Sequence, residues 1–305
     1  MRAVLIDEYG PPEVLHLGEL PVGEPGPGQV RVRVTAAAVN ATDANTRAGL
    51  LSEWVRTPFP LVLGWDLAGL VDAAGPGVTR WRPGDAVIGL WDQLSTGVGS
   101  YAETALVDAD LLAPAPTSGR LDDAAALPLS AMTAKGALDL LDLPAEATLV
   151  VTGAAGSVGG FAVQLAKHRG LAAIAVADRS DRQLAFRLGA AELVDRTTPV
   201  QTWERLADAV LHTAGPSGAI AAVRDGGRYV TVVPGSAPDP ERGIQPQTYL
   251  VQPDGTALAE LSRLVDRNAL TLRIADVMPL ARADAAHRRL EAGGLRGKLL
   301  LDPAR

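Results

Sequence analysis

The run Val150-Val151-Thr152-Gly153-Ala154-Ala155-Gly156-Ser157-Val158-Gly159 is an apolar strand entering a glycine-spaced turn, and the amphipathic FAVQLAKHRG follows it. A dinucleotide pyrophosphate needs a tight turn, no side chain where the backbone approaches it, and free N–H groups at a helix start. Gly153, Gly156 and Gly159 at three-residue spacing would provide these, with Ala155, Ser157 and Val158 offering backbone between them. A second strand, AAIAVA, ends at Asp178 near the expected distance, so residues 148 to 182 read as a dinucleotide unit. The uncharged stretch from Ala147 to Ala166 is long enough to span a bilayer. Its Gly153, Gly156, Gly159 and Gly160 and polar Thr152, Ser157 and Gln164 make it strand, turn and helix instead.

Outward from this unit, strands and helices alternate: TLVVTG, a helix from Val158 to Arg169, AAIAVA, a helix from Asp181 to Leu188, ELVD, AVLHTA, RYVTVV and a helix from Gly255 to Asn268. That alternation predicts a doubly wound parallel sheet with helices on both faces. From Met1 to Ser118 the pattern is short β runs with dense Gly and Pro: RAVLI, VRVRVTA, DLAGLV, DAVIGL and YAETALV. After Asn268 the chain returns to β character around a helix at Ala283 to Ala292. The expected division is therefore a discontinuous β-rich domain, 1–120 and 270–305, and a Rossmann domain, 121–269.

Composition narrows the chemistry. At 305 residues the chain can bury two cores. A net charge of −7 asks for neither nucleic acid nor an anionic membrane. The absence of cysteine removes disulfides, thiol nucleophiles and Cys-ligated zinc. Only four His remain, and just three Lys: Lys135, Lys167 and Lys298. Asp7 and Glu8 interrupt the first apolar run, so a cytoplasmic location is the expectation.

At the ribose end of the dinucleotide the signals conflict. Asp178 could accept hydrogen bonds from a ribose diol, the NADH arrangement, whereas Arg179, Ser180 and Arg182 could hold the 2′-phosphate of NADPH. These residues could also simply begin a solvated helix. A charge-assisted arginine contact outweighs repulsion from one solvated carboxylate, so the expected preference is NADPH over NADH.

Taken together, eight segments in order resemble the medium-chain dehydrogenase/reductase superfamily, and within it the zinc-independent quinone oxidoreductases related to zeta-crystallin. They are AAAVNATDANTRAG (36–49), FPLVLGWDLAGLV (59–71), RPGDAVIGL (82–90), GSYAET (99–104), ALPLSAMTAKGAL (126–138), VTGAAGSVGGFAVQLAK (151–167), LGAAELVD (188–195) and RGKLLL (296–301). The resemblance covers essentially the whole chain. It implies a GroES-like β-barrel catalytic domain plus a Rossmann domain with the active cleft between them, and a homodimer.

The zinc-dependent relatives ligate zinc through Cys, His and Cys; here the corresponding positions read Asn40 and Gly64-Trp65-Asp66, so no metal is expected. The resemblance also places Asn40 and Thr133 beside the nicotinamide, Thr231 to Gly235, Val233 included, beneath it, and Arg196 over the adenine or at the 2′-phosphate. Trp65 and Trp91 are either core side chains or surfaces on which a flat acceptor stacks. Asn45 stands near where relatives carry a Tyr, so no catalytic proton donor is identified. None of Tyr9, Tyr101, Tyr229 or Tyr249 has a Lys four residues later, which disfavours the short-chain reductase alternative.

The expected activity is hydride transfer from NAD(P)H, without zinc, to a small electrophilic acceptor, a quinone or an α,β-unsaturated carbonyl. The alternatives are a pathway-specific reductase of a large secondary-metabolite intermediate, which an Arg-rich, Lys-poor chain would fit, and a non-catalytic NADPH-binding sensor or structural protein.

Overall fold

The computed structural model describes residues 1–215 and 218–305 and divides into two compact units. The first comprises Met1–Leu129, Pro253–Arg267 and Leu272–Arg305; the second, Ser130–Gln252 and Asn268–Thr271.

In the first unit the chain forms β1 (Arg2–Ile6), β2 (His16–Glu19), β3 (Gln29–Val39), β4 (Leu61–Val62), β5 (Asp66–Ala74), β6 (Ala86–Leu90), β7 (Thr104–Asp108) and β8 (Leu112–Pro114), with short helices α1 (Ala41–Arg47) and α2 (Gln93–Thr96). The long β3 shows how patterning builds it. Val30, Val32 and Val34 point into the core while Arg31 and Arg33 lie on the opposite face; from Ala36 to Val39 every residue is buried.

The second unit opens with α3 (Pro128–Leu141), whose first two residues fall to the first unit. It continues through β9 (Thr148–Thr152), α4 (Ser157–His168), β10 (Ala172–Ala177), α5 (Arg182–Leu188), β11 (Glu192–Asp195), β12 (Ala207–His212), β13 (Val223–Thr231) and β14 (Gln247–Thr248). These strands make one parallel sheet in the order β11-β10-β9-β12-β13-β14. The chain winds outward from β9 and then returns to its other side at β12. That reversal creates the crevice beyond the strand ends where doubly wound sheets bind ligands.

The expected alternation of strand and helix holds only for the first half of this sheet. Among the described residues, the connection from β11 to β12 carries a 3₁₀ turn at Val200–Trp203 and that from β12 to β13 one at Ala219–Ala222. Trp203 and Ile220 from these turns are buried in the core of the unit.

The sequence placed the helix α6 (Gly255–Asp266) in the Rossmann domain, whereas it belongs to the first unit. Leu258, Leu261 and Val265 form its buried stripe. Asp254 caps it by accepting from the N–H of Thr256 and Ala257. Ser262 Oγ donates to Pro114 O at 2.7 Å, and Asp266 accepts from Thr117 and Ser118 N–H, both at 2.8 Å. Asn268–Thr271 falls to the second unit, where Thr271 N donates to Gln164 Oε1.

The chain then re-enters the first unit as β15 (Ile274–Pro279), α7 (Ala283–Glu291) and β16 (Lys298–Asp302). β16 pairs antiparallel with β3, which pairs on its other side with β5, giving the order β15-β16-β3-β5-β6-β8 with β7 also on β3. The last strand of the chain thus lies beside the first long one. No helix among the described residues is long and apolar enough to cross a membrane, and residues 147–166 form β9, its turn and most of α4.

Candidate functional site

The glycine turn closes tightly. Gly153 has φ +65°, the left-handed region that glycine adopts without strain, and Gly156 N–H donates back to Gly153 O at 2.9 Å. The three glycines have different work. A Cβ on Gly159 would sit 2.3 Å from Gly153 O, so Gly159 lets α4 lie directly on the turn. A Cβ on Gly156 would meet only Gly153 O, at 3.1 Å, and otherwise project into open space. Gly160 N–H makes the first intrahelical bond, to Gly156 O. The N–H groups of Ser157, Val158 and Gly159 therefore have no acceptor inside the helix and lie at its positive end. This cradle fits a pyrophosphate: a Cβ at Gly156 would occupy the space a phosphate needs.

At the C-terminal end of β10, Asp178 Oδ1 accepts from Ser180 N–H at 2.9 Å and Ser180 Oγ at 2.7 Å, while Oδ2 faces Arg196 Nε at 3.4 Å. Arg179 Nε lies 3.4 Å from Asp195 Oδ2. Arg182 instead lies over the Phe186 ring, 4.8 Å from its centroid. At the ends of β12 and β13, Thr231 Oγ1 contacts His212 Nδ1 at 3.2 Å and Ser236 Oγ at 2.7 Å, and accepts from Val233 N–H at 3.1 Å. Burial holds the His212 imidazole below the usual histidine range, with a backbone bond to Gly215 opposing. Thr133 is buried on α3.

The first unit holds a buried polar cluster where β16, β3 and β5 run side by side. Asn40 caps α1, and its N–H is accepted by Asp43 Oδ2 at 2.8 Å in a reciprocal capping box. Asn40 Nδ2 donates to Asp66 Oδ2 at 3.0 Å, and Lys298 Nζ donates to Asn40 Oδ1 while lying 3.4 Å from Asp66 Oδ2. Leu129 N–H completes Asp66 at 2.7 Å. Burial pushes the Asp66 carboxyl up, and Lys298 and Asn40 pull it back.

Asp43 is the second hub. Its Oδ1 accepts from Gly64 N–H at 3.1 Å and Gln93 Nε2 at 3.2 Å; its Oδ2 also accepts from Tyr101 OH at 3.2 Å. Gly64 has φ +112°, and a Cβ there would come 2.2 Å from Ser100 Oγ, so only glycine brings this N–H to the carboxylate. Burial raises the Asp43 carboxyl to about 7 against the Asn40 N–H, which favours the ionised form.

Trp65 and Trp91 are both buried. Trp91 packs in the core with Nε1 donating to Val98 O at 3.1 Å, and Trp65 Nε1 is buried without a protein partner. Asn45 is half-buried on α1. Sequence reasoning joined neither Lys298 nor Tyr101 to this cluster. A single lysine opening an apolar strand in a chain with three lysines was the available signal for the first.

Among the described residues no three His, Asp or Glu side chains converge as a metal site requires. Family models match residues 26–117, described as the alcohol dehydrogenase GroES-like domain, and residues 188–301, described as zinc-binding dehydrogenase. A crystal structure of an NAD-dependent alcohol dehydrogenase is 31% identical with a TM-score of 0.88, covering 99% of each chain. A chloroplastic quinone oxidoreductase of Triphysaria versicolor is 28% identical over 99% of this chain and 98% of its own. The chain belongs to the medium-chain dehydrogenase/reductase superfamily, in its quinone oxidoreductase family. Another relative of this oxidoreductase, the chloroplastic NADPH-dependent alkenal/one oxidoreductase of Arabidopsis thaliana, is 29% identical over 99% of this chain and 80% of its own. In this oxidoreductase the side chains of Asn40, Asp66 and Lys298 cluster around the segment Gly64-Trp65-Asp66.

Proposed function

We propose that this oxidoreductase reduces a quinone or an α,β-unsaturated carbonyl with NADPH, without a metal. One observation carries the metal-free part: Lys298, 4% exposed, places an ammonium against both Asn40 and Asp66. Asn40, where zinc-dependent relatives keep a cysteine ligand, and Asp66, next to the Trp65 that stands for their histidine, are thereby engaged by a built-in cation, and a divalent ion beside it would be repelled.

The bound cofactor supplies the hydride. The chain's own residues do the positioning: the first-turn N–H groups of α4 hold the pyrophosphate, and Asp178, Arg179 and Arg196 meet the adenosine ribose. An acceptor that is already electrophilic needs no Lewis acid. The enolate or quinol anion left by hydride addition is basic enough to take its proton from water, so a side-chain acid in the place of Asn45 is not demanded. The names of the quinone and alkenal/one relatives support this acceptor class.

The test is steady-state NADPH oxidation with a simple quinone and a panel of enones, before and after exhaustive chelation, with elemental analysis of the same sample. Retained turnover without stoichiometric zinc is expected. Binding of NADPH without oxidation of it by any acceptor would indicate a sensor instead, and activity lost to chelator would overturn the metal-free mechanism.

A further inference from the structure

Two neighbouring strands end in the same three-residue pattern: Asp178-Arg179-Ser180 after β10 and Asp195-Arg196-Thr197 at the end of β11. In each, the Asp Oδ1 accepts the N–H and the hydroxyl of the residue two further on, at 2.7 to 2.9 Å. That local turn fixes each carboxylate, and its Oδ2 faces an arginine from the end of the neighbouring strand. The arginines are then exchanged: Arg179 lies against Asp195 and Arg196 against Asp178, both at 3.4 Å. The result is a crossed clamp of two arginines and two aspartates with no net charge. The arginine side chains are 86% and 65% exposed, so each is held on one side only.

We infer that Asp195 is a specificity-determining positioning residue: it competes with the 2′-phosphate of the cofactor for Arg179, as Asp178 competes for Arg196, so that opening of the crossed clamp sets the preference between NADPH and NADH. The inference rests on the dinucleotide reading above. A ribose diol leaves both pairs closed and bonds Asp178 Oδ2 directly. A 2′-phosphate, carrying close to two negative charges, takes the guanidinium groups away from the carboxylates. Asp195 itself touches no part of the dinucleotide.

Asp195→Asn keeps the turn, because the amide oxygen still accepts from Thr197, and removes the charge that holds Arg179. NADPH should bind about two- to fivefold more tightly, the size expected from releasing one exposed ion pair, and NADH should be unchanged. Adenosine 2′,5′-bisphosphate, which carries the phosphate but no nicotinamide, should gain by the same factor. Adding Arg179→Ala should cancel the gain. Calorimetry with the three ligands on the parent and both variants, with thermal unfolding to verify folding, distinguishes the outcomes. A parent that binds neither dinucleotide sinks the cofactor reading and the clamp with it. Normal parent binding with an unchanged NADPH to NADH ratio in Asp195→Asn overturns the clamp alone, as does a gain that survives Arg179→Ala.

Discussion

The Tyr101 hydroxyl lies 3.2 Å from His287 Nε2. It also donates to Asp43 at 3.2 Å, so the hydroxyl accepts from the imidazole N–H. Arg47 NH1, 3.5 Å from Nδ1, donates to the other ring nitrogen, and a single direction of donation runs Arg47, His287, Tyr101, Asp43. The histidine is therefore neutral. Burial and the adjacent Arg47 lower it to about 3.

Opposed pH dependences follow from the two ends of this chain of bonds. Below the ordinary histidine range the unfolded chain takes up a proton that folded His287 refuses, so its contribution to stability rises with pH between about 3 and 6.5. Asp43, raised to about 7, holds a proton that the unfolded chain has released, so its contribution is full below the ordinary carboxylate range and falls as pH rises towards 7. Each slope amounts to about 1.4 kcal/mol per pH unit. From pH 4 to 6.5 the two slopes offset each other in the parent, so His287→Gln should leave stability falling as pH rises and Asp43→Asn should leave it rising. Urea unfolding across that range measures both, and parallel curves for parent and variants would show that neither group titrates differently on folding.

Lys298→Met should be among the most destabilising single changes in the first unit, at about 3 kcal/mol or more. It leaves the Asp66 carboxylate, buried without exposure, facing Asn40 and Leu129 with no counter-charge. Combining it with Asp66→Asn should recover much of the loss. A double-mutant cycle by chemical denaturation checks this, and simple additivity would mean that the two charges do not interact.

Gly156→Leu and Gly159→Ala should fail in different ways. The first directs a side chain into the space above the turn and should abolish dinucleotide binding with little change in melting temperature. The second forces a methyl to within 2.3 Å of Gly153 O and should lower the melting temperature. Calorimetry paired with thermal unfolding separates them; intact binding in Gly156→Leu would make the turn purely architectural.

Cofactor choice should respond to charge at the ends of β10 and β11. Asp178→Ser is expected to strengthen the preference for NADPH, and Arg179→Ala combined with Arg196→Ala to weaken NADPH binding by about tenfold or more. Dissociation constants for NADPH and NADH decide it. A parent that prefers NADH, with Asp178→Ser reversing the order, would show that the carboxylate governs.

Local physics made much of this protein legible from its residues. The strand, turn and helix at 148–168 and the alternation of Val30 to Val34 are set by side-chain period and glycine geometry, which act over a few residues and are written directly in the sequence. Missing cysteines and the Asn40, Trp65 and Asp66 substitutions likewise narrowed the chemistry without a structure. Tertiary structure alone decided which unit α6 joins, because its apolar stripe states that it packs but not against what. It also decided that Lys298 meets Asn40 and Asp66, and that Arg179 and Arg196 exchange aspartates. Those pairings depend on which strands lie side by side: β16 beside β3 across more than two hundred and fifty residues, and β10 beside β11 in a register that brings Ala177 opposite Asp195. Register and neighbour choice are collective properties of the packed sheet, and no local pattern encodes them.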